Sequence, residues 1–361
     1  MNILVTGSAG FIGSYISRAL IWRGDNVIGI DNFNDYYPRN CKEYNVDLIS
    51  LAAGQDPVYK ADPSATAVYN EVEKFANGTY VMTSSKGTFK FYEGDIVDFE
   101  FLKKVFSENK IDAVIHMAAM AGVPYSTKMP RLYANVNVDG TVNLLELSKD
   151  NGISKFVFAS SSSVYGDRED KKVTEEDDVS KAVSVYGASK VSGEVLCHAF
   201  HVIYGLPVVI DRIFGPIYGP LQRPYGMFHQ RAINFLYNKK TIQIYGKKGL
   251  ETAKDSTYID DQVKGILACL DCKYDFEVFN IGTSDPKPIK VWIDSVEKAF
   301  EDKLKLEIID VDRADVASSA DISKAKKMLN YNPATDMYVG VKRQVEVFKL
   351  MPEWYKTMDR V

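Results

Sequence analysis

The sequence is poor in cysteine and histidine, has no long apolar run and no block of like charge, and each absence removes a class of protein. Four Cys in 361 residues cannot staple a disulfide scaffold, so a reducing compartment is expected. Cys269 and Cys272 form a C-x-x-C inside an apolar run, without a second pair or a neighbouring His. They are read as helix packing rather than as a zinc or redox site. His198 and His201 stand at i, i+3, but no carboxylate or thiolate cluster joins them, and no metal is expected. No stretch reaches the ~18 uncharged apolar residues of a membrane span. The opening Met1-Asn2-Ile3-Leu4-Val5 runs into Thr6-Gly7 with no basic leader or cleavage site, so a cytoplasmic protein is expected. Lys and Arg are scattered and the formal net charge is -4, which leaves no electrostatic footprint for nucleic acid or anionic lipid. A small-molecule partner remains.

What is present is rhythm. Apolar β-type runs alternate with helical patterns through the first half, as in a parallel sheet covered by helices on both faces. Strands are expected at 2–6, 26–31, 89–93, 113–116, 155–160 and 208–214, and helices at 10–23, 136–149 and 186–204. The fold class is therefore α/β, a Rossmann-type doubly wound parallel sheet. After Gly219 the rhythm breaks, and 219–361 reads mainly as a smaller C-terminal lobe, with a segment near 255–285 returning to the first domain and 276–281 rejoining the main sheet. One stretch is oversized: Asp31 to Asp95 spans 64 residues, more than one helix and its turns require, so 40–86 is read as an insertion. Inside it, Asp62-Pro63, Val68, Val72, Phe75 and Asn77-Gly78 spell a capped helix. Residues 80–83 and 88–91 flank Lys86-Gly87 as a hairpin.

Gly7-Ser8-Ala9-Gly10-Phe11-Ile12-Gly13 follows the first strand and opens the first helix. Such a turn lets backbone approach a pyrophosphate, whose charge meets the free N–H groups and dipole of a helix N-terminus. Three glycines in a turn are common by chance; here they lie between a strand and a helix. Asp31 also ends the second strand 18 residues after Gly13, near the ~20 of a ribose-binding acid. A carboxylate there accepts from a ribose 2′-OH and repels a 2′-phosphate, which favours NAD over NADP. Residues 1–218 are thus expected to form the NAD-binding domain. Asp95, followed by Ile96, is placed to meet the adenine, and Ala118 and Ala119 are small enough for the cofactor to lie against backbone.

Tyr186 and Lys190 are four residues apart, on one face of a helix. An ammonium there favours the phenolate of a group whose pKa is ~10 unperturbed, and makes Tyr186 a candidate general base. Taken alone, Tyr-x-x-x-Lys is common and solvated. Here Ser160-Ser161-Ser162-Ser163-Val164-Tyr165-Gly166 ends the fifth strand, and hydroxyls at a strand's carboxyl end face the crevice where open α/β sheets bind ligands. Strand end and helix converge on one site.

Together these motifs resemble the extended short-chain dehydrogenases/reductases, the nucleotide-sugar epimerase and dehydratase group, over nearly the whole chain. Val114-Ile115-His116-Met117-Ala118-Ala119, Asn137-Val138-Asp139-Gly140-Thr141 and Asp255-Ser256-Thr257-Tyr258-Ile259-Asp260-Asp261 fit that pattern, as do Arg313-Ala314-Asp315-Val316 and Asp321-Ile322-Ser323-Lys324-Ala325. The resemblance implies a tightly held NAD, with Asn32, Asn137, Tyr186 and Lys190 among its contacts, and a UDP-sugar substrate. It also implies a homodimer paired through the helices at 136–149 and 186–204. Dehydratases and decarboxylases of the group carry Asp or Glu just before the Val-Tyr-Gly, where this chain has Ser163. That points to 4-epimerisation through a 4-keto sugar, with Ser161 bonding the sugar O4, Tyr186 taking its proton and Lys190 tuning Tyr186.

Asp31-Asn32-Phe33-Asn34-Asp35-Tyr36-Tyr37 and the Ser-rich strand end are most similar to the UDP-glucuronate 4-epimerase branch. By that likeness Arg223, with Ser162 and Ser163, meets the substrate anion, and Lys254 and Arg313 meet the diphosphate. The chain also departs from the branch. Pro124 stands in Gly122-Val123-Pro124-Tyr125-Ser126 where relatives have Arg, Lys254 replaces Arg before Asp255, and Phe214-Gly215-Pro216-Ile217-Tyr218 is one residue longer. An epimerase of neutral UDP-hexoses or N-acetylhexosamines and a nucleotide-sugar reductase are the alternatives. A non-catalytic NAD-binding scaffold would have no need of Ser161, Tyr186 and Lys190.

Overall fold

The structure, a computed structural model, describes residues 1–60, 65–76, 87–166, 172–224, 227–246, 248–311 and 319–358. Seven parallel strands form its main sheet. From one edge to the other they run Phe276–Ile281, Val208–Ile213, Lys155–Ser161, Ala113–His116, Asn2–Thr6, Asn26–Asp31 and Phe89–Glu93. Their Val- and Ile-rich sequences suit strands buried on both faces. Side chains alternate between two cores: Ile3 and Val5 face the Phe11–Arg23 helix, while Leu4, Ile28 and Ile30 face Leu144, Leu145 and Cys197. The winding reverses between Asn2–Thr6 and Ala113–His116, paired as Ile3 with Ala113 through Thr6 with His116. Ligand crevices of doubly wound sheets open at such a switch point.

The expected strands are all present. The expected segment 276–281 returns as the edge strand, parallel to Val208–Ile213. The helix expected at 136–149 is a wide π-turn at Asn135–Asp139 continued by Gly140–Asp150. There a Cβ on Gly140 would lie 2.6 Å from Ile96 Cδ1, so the glycine allows close helix approach. The helix expected at 186–204 is Val185–Tyr204, whose Ser184 hydroxyl accepts from Gly187 N–H at 3.0 Å. A Cβ on its Gly193 would lie 2.3 Å from Phe158, so this helix can lie hard against the fifth strand.

Within the long excursion, Ala65–Ala76 is the expected helix; its Asp62-Pro63 cap, its Asn77-Gly78 stop and the 80–83 arm lie outside the described residues. A second helix, Arg39–Ala52, was not expected, because Lys42, Asn45, Asp47 and Ser50 on it are all buried and hide the apolar period. In the C-terminal part, Asp255 ties strands to loops by accepting from Thr283, Ser284 and Ala320 N–H. Cys269 packs in the core, and the Cys272 thiol donates to its carbonyl at 3.2 Å. Among the described residues no helix is long and apolar enough to cross a membrane.

Candidate active site

A cavity of about 530 Å³ opens at the switch point, lined by both halves of the chain. Gly7, Gly10, Phe11, Ile12 and Gly13 form one wall. Gly7 has φ +68, and a Cβ there would lie 2.9 Å from Ala118 N, while a Cβ on Gly13 would lie 2.2 Å from Gly7 O. The turn is therefore closed to side chains. Gly10 caps the Phe11–Arg23 helix with no side-chain acceptor, so the first N–H groups remain for an anion, as a dinucleotide pyrophosphate requires. Ala118 is fixed from behind: its N–H donates to Thr6 Oγ1 at 3.1 Å, and His116 bridges Thr6 and Thr141 at 2.8 and 3.0 Å. Burial pushes His116 down to about 3, which keeps this bridge neutral.

Asp31 lines the cavity and accepts from Phe33 N–H at 2.9 Å. Lys42 faces it at 3.5 Å, with the two side chains 4% and 8% exposed. The ammonium also donates to Asn34 Oδ1 at 3.1 Å. Lys42 sits on the unforeseen helix, whose Asn45 holds Ala9 O at 2.9 Å. The excursion thus supports the glycine turn and the ribose acid. Asn32 donates to Asp95 at 2.8 Å, and both line the cavity with Ile96, Ala118 and Ala119. An open helix N-terminus with a buried ribose acid fits NAD. Asn137 does not reach the cavity. Its amide is spent on Met120 N–H (2.7 Å), Met120 O (3.0 Å) and Ser189 Oγ (2.9 Å), so it fixes the wall and the helix that carries Tyr186.

Ser161, Ser162, Ser163, Tyr186 and Lys190 meet on the facing wall. The Ser161 hydroxyl accepts from Ser163 N–H at 3.2 Å, which leaves its own proton to donate. Beneath it, Ser160 donates to Glu194, which holds Arg212 at 2.7 Å. This buried ion pair ties strand end to helix. Burial pushes the Tyr186 phenol up, while Ser161 and the Arg223 charge pull it back toward ionisation. Lys190 donates to Ala159 O at 2.7 Å, and burial pushes it down to about 8. Ser161 and Arg223 thus act on Tyr186 in the direction expected of Lys190.

Arg223 and Lys254 line the other end with Gly215, Pro216, His229 and Trp292. Arg313 lies outside the described residues. Sequence reasoning missed Lys42, hidden on a polar-faced helix, and His229, for which no motif spoke. Tyr36 and Tyr37 lay within the quoted segment after Asp31 but were given no role.

A phenol set beside a dinucleotide cradle suits the oxidation of a carbinol or the reduction of a carbonyl, and so places the protein among the dinucleotide-dependent carbinol enzymes. The chain belongs to the NAD dependent epimerase/dehydratase family, whose model matches residues 3–282. A UDP-glucuronate 4-epimerase of Thermodesulfobacterium geofontis is 37% identical over 357 residues, 98% of each chain. Among solved structures, UDP-glucuronic acid 4-epimerase from Bacillus cereus, in complex with UDP-glucuronic acid and NAD, aligns with TM-score 0.79 at 32% identity, covering 97% of this chain and 100% of that one. The UDP-glucose 4-epimerase of Thermotoga maritima with UDP-glucose aligns with TM-score 0.76 at 28% identity, covering 97% and 99%.

Proposed function

We propose that this protein interconverts UDP-glucuronate and UDP-galacturonate by 4-epimerisation, with NAD as its cofactor. The reading is carried by one observation: Ser161 and Tyr186 share a crevice with the cationic Arg223, opposite a turn and acid that fit NAD. Gly7, Gly10, Gly13, Asp31, Asn32 and Asp95 would hold the cofactor, which supplies a hydride acceptor and donor so that the sugar passes through a 4-keto form. Ser161 donates to the sugar O4. Tyr186, drawn toward ionisation by Ser161 and Arg223, takes the O4 proton and returns it once the sugar presents its other face. Ser162, Ser163 and Arg223 hold the carboxylate away from the orientation that favours loss of CO2. Lys254 and Arg313 meet the diphosphate.

The assembly proposed is a cytoplasmic homodimer. Val195, Val202 and Ile203 on the Val185–Tyr204 helix are 63%, 66% and 67% exposed, an apolar stripe that a second copy would cover. The test is incubation of purified protein with UDP-glucuronate, UDP-glucose and UDP-N-acetylglucosamine, with separation of the products. Conversion of UDP-glucuronate to UDP-galacturonate without net NADH supports the reading. Turnover of neutral sugars alone, stoichiometric NADH consumption or release of a UDP-pentose overturns it.

A further inference from the structure

Arg223 is held in an unusual way. The residues just before it are fixed from both halves of the molecule: Tyr15 donates to Pro220 O at 3.0 Å, Gln222 donates to Ile217 O at 2.7 Å, and Tyr355 donates to Gln222 O at 2.5 Å. Gln344 completes the anchor by donating to Gln222 Oε1 at 2.9 Å. Its guanidinium, by contrast, makes no hydrogen bond or ion pair among the described residues. What it meets is a ring: Arg223 Cζ lies 4.9 Å from the centroid of Tyr36. Two of the other cations lining the cavity are matched, Lys42 to Asp31 and Lys190 to the Ala159 carbonyl.

Tyr36 is itself tightly seated. Its backbone N–H donates to Asn34 Oδ1 at 3.2 Å, and its ring packs edge-on against Tyr125 at 5.8 Å. Gly122 has φ +95, and a Cβ there would lie 2.6 Å from the Tyr36 hydroxyl. So the bare backbone of Gly122 leaves the space that the phenol fills. Tyr36 also lies in the same turn as Asp31 and Asn32, the groups that fit the cofactor's ribose and adenine.

We propose that Tyr36 is a positioning residue for recognition of the anionic sugar: its face seats the Arg223 guanidinium over the sugar end of the crevice and leaves the N–H donors free for the uronate carboxylate. A ring face attracts the cation without occupying its in-plane donors, so the seat does not compete with the ligand. The inference rests on the reading of a UDP-uronate as substrate, and it ties the grip on that anion to the loop that holds the cofactor.

The test compares UDP-glucuronate with UDP-glucose, which share the diphosphate and differ at the carboxylate, in NAD-saturated protein. Affinities come from calorimetry, and KM and kcat from product analysis. Tyr36→Ala, and Tyr36→Leu which keeps bulk without a π-face, are expected to weaken UDP-glucuronate by about 3–10-fold, mainly in KM, with a smaller effect on UDP-glucose. Tyr36→Phe is expected to restore the parent KM. In an Arg223→Ala background Tyr36→Leu should add nothing for the uronate, since the two act through one contact. Effects that multiply across the pair, or a preference for the uronate that survives Tyr36→Leu, overturn the seat alone. An equal loss for both sugars places Arg223 on the diphosphate and also overturns it. A parent protein with no preference for the uronate sinks the substrate reading, and the seat with it.

Discussion

At the dinucleotide end of the crevice Asp31 faces Lys42 and accepts from Phe33 N–H, and Asn32 is bonded to Asp95. At the sugar end Arg223 rests on a ring, and Ser161 and Tyr186 bond each other. One end is a set of groups already matched to each other; the other holds a guanidinium whose donors await a ligand. A matched site loses little side-chain freedom on binding, which suits a cofactor that stays through many turnovers. Unmatched donors hold a ligand through bonds made only while it is present, which suits a sugar that must be released and turned.

The largest test of this division is Tyr186→Phe. Loss of the base should lower kcat by about 10³-fold, while NAD content, read from the denatured supernatant, stays at the parent level. If NAD is lost in proportion to activity, the two ends are not separate in function.

Asp31→Asn tests the matched end. It removes the ribose acceptor and leaves Lys42 buried with Asn34 as its remaining partner, so the purified variant should carry little NAD. Breaking a buried pair usually costs about 3–5 kcal/mol. Here about 1–3 kcal/mol is expected, because burial already lowers the proton affinity of Lys42 and the amine can shed its charge. Denaturant unfolding of NAD-free protein reads this directly. An unfolding midpoint equal to the parent's would show that the pair serves the cofactor and not the fold.

The same contrast explains what was legible in the sequence. The dinucleotide end is written in local units, a glycine turn between a strand and a helix and an acid at a fixed distance, so spacing alone named Gly7, Gly10, Gly13 and Asp31, all of which line the crevice. Parallel strands buried on both faces leave continuous apolar runs, which is why the sheet was readable almost to the residue. The Arg39–Ala52 helix was not, because its inward face spends Lys42, Asn45 and Asp47 on bonds to Asp31, Ala9 and Tyr59. Asn137 carries a family signature, and its amide bonds Met120 and Ser189; an amide can bond backbone and ligand equally well, and spacing does not tell which. The sugar end depends on long-range meetings, such as Arg223 with Tyr36 and Ser160 with Glu194, for which no spacing rule exists.

The smallest expected effect, and the sharpest in sign, concerns Lys190. Burial holds it at about 8, against about 10.4 in an unfolded chain. Between those values the unfolded chain carries a proton that the folded one lacks, so this group's contribution to stability rises with pH across the window. Below it both states are charged and the folded state bears the full cost of a buried ammonium. Activity should run the other way, because the cation beside the dinucleotide and Tyr186 is lost as pH rises through about 8. Turnover is therefore expected to fall by less than about tenfold between roughly pH 7.5 and 9, while the stability difference between parent and Lys190→Met shifts in the parent's favour. A rate profile measured beside urea unfolding at each pH checks both signs. Lys190 stands at the sugar end although it is bonded to the Ala159 carbonyl, and bound NAD, with a cationic nicotinamide, should make the stability gain begin at lower pH than in NAD-free protein. A gain that begins at the same pH in NAD-free and NAD-loaded protein would place Lys190 out of the cofactor's reach.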